Sequence, residues 1–362
     1  MNYGFSFYLD KELDSEANIY IKRMAAQGFS GIFTSIHLPE DQVAVYRERL
    51  LQLAAIAREN QLQLVVDIAA DSLERIGLSV TNPKQLRKFG ITGLRLDEKL
   101  PLSVIINLTQ ELALVALNAS TLTLEDVAHL KQAKVDFSKL EAWHNYYPRP
   151  ETGLAATWFS KRNHWLRSLG IHVQAFVPGD GRLRGPLFAG LPTLEEHRKW
   201  HPLAAVLALA KMGVSTVYLG DPEITTVTQA QFALYLKQKI ILLHIKPIES
   251  RSRYFKYVLG LHQNRLDPAA AVIRCADSRQ LGVPQIVAEP SYPRTQGGAV
   301  TLDNEKYQRY MGEIQLCRIA LPADERVNVV GQVLPQELTL LNQLGAGERF
   351  ELRAAVEREE LK

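Results

Sequence analysis

Short apolar runs alternate along the chain with longer segments whose apolar residues recur every three to four positions. The runs are Phe5–Leu9, Gly31–Ile36, Leu62–Ile68, Gly93–Asp97, Leu112–Asn118, Leu140–Asn145, Ile171–Val177 and Thr216–Asp221. They are rich in Val, Ile, Leu and Phe, as parallel strands are when both sheet faces are covered. Between them, Glu16–Ala26 sets Ile19, Ile21, Met24 and Ala25 at helical spacing, and Asp41–Glu59 does so with Val45, Leu50, Leu53 and Ala57. Leu124–Ala133, Gly153–Ser168 and Leu194–Lys211 read as helices too. Asp14-Ser15 and Thr121–Thr123 offer side-chain oxygens to the free amides of helix starts. "QGFSGI" (Gln27–Ile32) and "FGITGL" (Phe89–Leu94) share one logic: helix end, glycine stop, strand.

Eight such steps within roughly 220–240 residues have the length and rhythm of a (β/α)8 barrel. An open doubly wound sheet would alternate similarly, but no Gly-rich nucleotide turn follows the first strand. Beyond Gln238 the rhythm changes. Lys239–Ile245, Ala271–Cys275, Glu313–Ile319, Val327–Val333 and Phe350–Ala354 read as strands separated by turns. The expected architecture is an α/β TIM barrel over 1–238, followed by a smaller β-rich domain over 239–362.

Composition narrows the class. Hydrophobic residues at 46% and charged residues at 22% describe an ordinary folded protein. Lys plus Arg (42) against Asp plus Glu (39) leaves +3, too slight to argue for nucleic acid or an anionic membrane as partner. Cys275 and Cys317 are the whole cysteine complement, so no disulfide framework is expected, and no Cys/His spacing suggests a structural zinc. Met1–Lys11 lacks the basic-then-apolar layout of a signal peptide. The longest apolar stretch, Pro202–Ala210, is about half of the ~18–20 residues a membrane span needs. The expectation is a soluble, cytoplasmic protein.

In a TIM barrel the loops after the strands converge on one face, and chemistry belongs there. That face collects Asp10, Ser35 with His37, Asp67, Arg95 with Asp97, Asn118-Ala119-Ser120, His144-Asn145-Tyr146-Tyr147, Asp180 and Asp221. Asp and Asn also close turns and cap helices, so each taken singly says little. His144-Asn145 with two tyrosines has the makings of a polar-ligand wall. The loop Gly179–Thr193, "GDGRLRGPLFAGLPT", lets backbone approach a ligand and carries Arg182 and Arg184, whose forked guanidinium groups suit an anion. In the second domain, arginines including Arg309 cluster with Asn and Tyr, as a phosphate or carboxylate site would have them.

Several segments occurring together and in order are less generic: "LNAS" (Leu117–Ser120), "HNYYPRPETGL" (His144–Leu154), "AFVPGDGRLRGPLFAGLPTLEEHR" (Ala175–Arg198), "YLGDP" (Tyr218–Pro222), "HQNRLD" (His262–Asp267) and "DNEKYQRYMGEIQ" (Asp303–Gln315). Over essentially its whole length the chain resembles the bacterial 6-phospho-N-acetylmuramidases, a family formerly labelled "outer surface protein". The resemblance implies a TIM barrel followed by a cyclophilin-like domain. It also implies a cytoplasmic enzyme of peptidoglycan recycling, with no cofactor. Its substrate would be a phosphorylated disaccharide, N-acetylmuramic acid 6-phosphate β-1,4-linked to N-acetylglucosamine. Ala189 and Gly298-Ala299 depart from the family pattern, which has an acidic residue and a Gly-Asp pair there, and the departures bear on substrate preference.

Cleaving a glycosidic bond takes a proton for the departing oxygen and a carboxylate for the cationic sugar or its water. Asp67, Asp97, Asp180, Glu195 and Asp221 form the pool. Asp97 and Asp180 are the expected catalytic pair, with Glu195 the next candidate for the acid. Asn118, His144 and Asn145 would hold hydroxyl or acetamido groups beside Tyr146, Asp67 and Asp221. Arg182 or Arg184, with Arg309, would hold the phosphate. The substrate's own 2-acetamido group is an alternative nucleophile. Two other readings stand beside this one: a metal-dependent phosphosugar isomerase or lyase using His37, Asp67, Asp97 and His144, and a non-catalytic sugar-phosphate sensor.

Overall fold

Eight parallel strands close into a barrel in chain order. They are β1 (Asn2–Ser6), β2 (Gly31–Ser35), β3 (Gln63–Ile68), β4 (Gly93–Leu96), β5 (Leu114–Asn118), β6 (Leu140–Trp143), β7 (His172–Val177) and β8 (Thr216–Leu219). The computed structural model describes residues 1–36, 43–68, 70–97, 99–248, 252–280, 284–294 and 297–355, with backbone alone for 70–72. The chain divides into two compact units, Met1–Gln229 and Ala230–Lys362. Closure of the first sets Phe5 of β1 against Ile32 of β2 on one side and Leu219 of β8 on the other.

The apolar runs are continuous because one strand face looks into the barrel and the other meets the surrounding helices. The interior is aromatic: Phe33, Trp143, Phe176 and Tyr218 pack together with Val65 and Ala116. Phe33 and Phe176 lie 5.0 Å apart, and Trp143 and Tyr218 4.9 Å, centroid to centroid. Two glycines make room for this volume. A β-carbon on Gly4 would fall 2.1 Å from the Tyr218 ring, and one on Gly31 2.3 Å from its hydroxyl.

Local signals act as the sequence suggests. The Asp14 carboxylate accepts the Ala17 amide at 2.8 Å, and Thr123 forms a reciprocal capping box with Asp126. Gly28 and Gly90 stop their helices with φ of 109° and 105°. Two expectations shift. The first strand is Asn2–Ser6 rather than Phe5–Leu9. Phe7, Tyr8 and Leu9 are buried beyond the end of the strand, and Tyr8 packs on the barrel core, where its hydroxyl donates to the Gly220 carbonyl at 2.6 Å. The expected helix Leu194–Lys211 is a short 3-10 turn, Glu195–His197, followed by a helix Pro202–Lys211. Pro202 lacks an amide and bars its predecessor from helical angles, so the break falls there. Helices Pro83–Phe89, Leu102–Glu111 and Thr226–Gln238 were not foreseen.

The second unit is a seven-stranded mixed sheet. Its strands are β9 (Ile240–Pro247), β10 (Gly260–Gln263), β11 (Val272–Arg274), β12 (Ala299–Asp303), β13 (Ile314–Cys317), β14 (Val327–Val333) and β15 (Arg349–Ala354). They run in the order β10-β15-β9-β14-β12-β13-β11. Among the described residues of this sheet only the β9–β15 pair is parallel. A bridge from Asn264 to Cys275 links chain just past the two edge strands and nearly closes the sheet. Strands β10 and β12 were not foreseen. Among the described residues no helix is long and apolar enough to cross a membrane.

The Gly4–Tyr218 contact is testable. Gly4→Ala places a methyl group inside the ring of a fully packed tyrosine, so a loss of at least about 1–3 kcal/mol is expected. Chemical denaturation of the two proteins side by side measures it, and an unchanged midpoint would show that the barrel yields at this point.

Candidate functional site

Strand register decides which side chains reach the barrel mouth. Asp67 of β3 pairs with Arg95 of β4, and Arg95 with Ala116 of β5, whose methyl group lies in the barrel core. Side chains alternate along a strand, so Asp67 and Arg95 face the barrel axis, and Asn118, two residues beyond Ala116, faces it as well. The Arg95 guanidinium is the hub. Its Nη1 donates to Asp67 Oδ1 and its Nη2 to Asn145 Oδ1, with a further bond from Nη2 to Asp97 Oδ1 at 3.1 Å. Ser35 adds a 3.2 Å bond to Asp67, and Asn118 Nδ2 reaches Asp97 Oδ1 at 3.4 Å. Arg95 is 5% exposed. Burial works against its charge, but Asp67 and Asp97 more than offset this and raise its proton affinity above the ordinary value. Its Nε has no acceptor among the described residues.

The loops after β6 and β7 complete the mouth. Thr193 Oγ1 ties them together, donating to the Asn145 carbonyl at 2.9 Å and accepting the Phe176 amide at 2.8 Å. Tyr146 packs edge-on against Phe176 and receives a 3.1 Å bond from Arg184 Nη1. Burial raises the Tyr146 phenol above its usual range. The Arg184 guanidinium lies 3.5 Å over the Tyr8 ring. Among the described residues no carboxylate pairs with it, whereas Arg182 is held by Glu223 at 2.8 Å. Asp221 staples the β7 loop: its carboxylate accepts the amides of Gly179 (2.9 Å), Arg184 (3.0 Å) and Leu191 (2.9 Å). A cleft of about 1030 Å³ opens from Tyr8 and Arg184 between the loops after β1 and β7. That is ample for a disaccharide-sized ligand.

Asp67, Asp97, Asn118, Asn145, Tyr146 and Arg184 therefore come together at one barrel mouth, while other expected residues of the first unit do not join them. Trp143 points into the barrel, so His144 points out. Its Nε2 meets Asn163 Oδ1 at 2.8 Å, its ring packs on Phe159, and burial pulls it down to about 4. The Asp180 carboxylate caps the helix Thr226–Gln238, accepting the Thr225 amide at 2.9 Å and the Thr228 hydroxyl at 2.5 Å. Glu195 is clasped by Arg198 at 2.6 Å and by the amides of Glu151 and Gly153 at 2.9 and 2.8 Å. Arg198 above all, then the amides, hold this carboxyl at about 2. Arg309 belongs to the second unit, where it lies over Tyr310. Of the expected metal set, His37 lies outside the described residues and His144 faces away from the mouth. Among the described residues no three His, Cys, Asp or Glu side chains converge as metal ligands.

Tyr8 is a site member that the sequence does not single out, and Arg95, expected on this face, carries no assigned role there. The available signal was period two: Arg95 stands two residues before Asp97, on the side of the strand that reaches the mouth.

The fold and these side chains define a TIM-barrel protein with a polar, arginine-bearing mouth. The chain belongs to the 6-phospho-N-acetylmuramidase family: the profile of the family's N-terminal domain matches residues 3–234 and that of its C-terminal domain residues 241–353. A conserved protein of unknown function from a locus in Enterococcus faecalis is similar in structure, with a TM-score of 0.89 and 46% identity over 98% of this chain and 96% of that one. An uncharacterized B. cereus protein shares the fold, with a TM-score of 0.75 and 24% identity over 97% and 99% of the two chains. No curated protein matches the chain.

The Glu195 clasp has a pH signature. A carboxyl lowered to about 2 when folded, from 4.5 unperturbed, adds stability that is complete above 4.5 and is lost as pH falls toward 2. Glu195→Gln should therefore be less stable than the parent at neutral pH, with the gap closing as urea titrations move below pH 4.5. A gap independent of pH would assign the effect to packing instead.

Proposed function

We propose that the chain is a cytoplasmic glycosidase that hydrolyses the β-1,4 bond of N-acetylmuramic acid 6-phosphate–N-acetylglucosamine in peptidoglycan recycling. The observation that carries this reading is the Asp67–Arg95–Asp97 network beside the carboxylate-free Arg184 in a member of this family. The proposal keeps the division at 238/239 and takes the mixed sheet of the second unit as the cyclophilin-like domain.

The phosphorylated sugar enters the mouth with its phosphate on Arg184, a forked donor that a phosphate oxygen pair matches. Tyr146 fixes the orientation of that guanidinium through its 3.1 Å bond. Asn118 and Asn145 meet hydroxyl or acetamido groups. Asp97 is the carboxylate that faces the anomeric carbon, where positive charge develops as the bond breaks. Both of its bonds, from Arg95 and Asn118, use Oδ1, and its side chain is 53% exposed at the mouth. Asp67 acts through Arg95 and is a positioning residue. Water adds across the bond: its oxygen goes to the anomeric carbon of the muramic acid sugar, and one proton goes to the departing oxygen of N-acetylglucosamine. Asp180 and Glu195 take structural parts, as a helix cap and a loop clasp.

The test is a mass-resolved assay of the purified chain on the phosphorylated disaccharide. Release of N-acetylglucosamine and the 6-phosphorylated muramic acid sugar is expected. Release of lactate would put the cleavage at the ether, and binding without turnover would make the protein a sensor. Asp97→Asn should lower kcat by at least about 100-fold. Arg184→Ala should raise KM by about tenfold or more, through the loss of charge-assisted bonds to the phosphate. Asp180→Asn should lower Tm while keeping kcat. Full activity in Asp97→Asn would end the assignment.

A further inference from the structure

The loop after β7 presents a second group beside Arg184 that the proposed reaction does not yet use. Phe188 is 63% exposed, and its φ of 50° lies in the left-handed region. A bulky residue is rarely held in that conformation unless its surroundings enforce it, and such strain gathers at ligand-binding sites. Here the enforcement is visible. The Phe188 amide returns to the Arg184 carbonyl at 3.2 Å, and the ring lies over Gly185, where a β-carbon would come within 3.0 Å of Cζ. One turn, stapled by Asp221, thus holds the anion-binding arginine at one end and an upturned aromatic ring at the other.

Both residues line the cleft that runs away from the mouth, and Ile19, 55% exposed, lines it as well. Apolar surface interleaved with charged side chains in one cleft matches a pyranose, which is hydroxylated at its edge and apolar on its C–H face. Charge narrows the choice. With Arg184 on the phosphate and Arg182 paired to Glu223, the cleft keeps Asp10, Glu12, Asp14 and Glu16 against Lys11 and Arg23. That balance disfavours a second anion. We propose that Phe188 is the platform on which the neutral, departing sugar stacks, so that the cleft selects a disaccharide carrying its single phosphate at the mouth. The proposal rests on the glycosidase reading and deepens it.

The experiment compares the full chain with Phe188→Ala and Phe188→Trp on two substrates: the phosphorylated disaccharide and the methyl glycoside of the same phosphorylated muramic acid sugar. Phe188→Ala should lower kcat/KM for the disaccharide by about tenfold or more, while the methyl glycoside changes by less than about twofold. Phe188→Trp should restore the disaccharide. Equal losses on both substrates would make the ring a mere brace for Arg184 and overturn the proposal, as would an unchanged disaccharide rate. Saturation-transfer NMR with N-acetylglucosamine alone separates this from the reaction itself. Transfer to the ring C–H protons is expected in the parent and lost in Phe188→Ala. If the parent turns over neither substrate yet shows that contrast, the glycosidase reading fails and the platform stands. If the signals are equal in both proteins, the platform fails whatever the turnover.

Discussion

The carboxylate of Asp221 organises one whole side of the barrel mouth. It is 1% exposed and accepts three backbone amides, from Gly179, Arg184 and Leu191, which span the β7 loop. Burial pushes its pKa up, and the amides act in the opposite direction. Three donors turned on one carboxylate are what make such burial tolerable. A loop rich in glycine and proline has no apolar core of its own, so a buried anion takes that place. Without it, neither Arg184 nor Phe188 would have a fixed address.

The other side of the mouth is built from the opposite charge. Arg95 enters the barrel from β4 and would be costly alone, yet it meets Asp67, Asp97 and Asn145 at once. The two halves meet at Tyr146, which follows Asn145 in the chain and receives Arg184. A buried cation ringed by acceptors and a half-buried cation that no carboxylate pairs with among the described residues therefore stand at the two ends of a short dipeptide. The first is satisfied by the protein and gives rigidity. The second is open to a ligand, and this difference in pairing is why the proposed phosphate site is Arg184 rather than Arg182 or Arg95.

The barrel was legible because its signals are local. Runs of Val, Ile and Leu, glycine stops at Gly28 and Gly90, and caps at Asp14 and Thr123 each act within a few residues. The site was legible only in part, because membership depends on direction. Asp67, Asp97, Asn118, Asn145, Tyr146 and Arg184 all reach the mouth, but His144 does not, since Trp143 takes the inward position and the next residue must face the helices. Alternation from Trp143 would have separated His144 from Asn145 without any structure. Asp180 illustrates a different limit. Its carboxylate is claimed by Thr225 and Thr228, some 45 residues further along and 48 for the second, and no spacing rule finds a cap supplied across that distance. Pro202 was readable and under-weighted, for a proline eight residues into a proposed helix marks a break.

The tyrosine at the centre of the barrel shows how fold and site share one constraint. Tyr218 occupies volume that Gly4 and Gly31 vacate, and burial pushes its hydroxyl far above the usual phenol range. It packs with Trp143 and Phe176 in the buried core of the barrel. Tyr146 stands on that aromatic core, packed against both Phe33 and Phe176. The position of Arg184 is thus inherited, through one phenol, from the packing of the core. Gly4 and Gly31, on β1 and β2, bear on the packing beneath the Arg184 guanidinium.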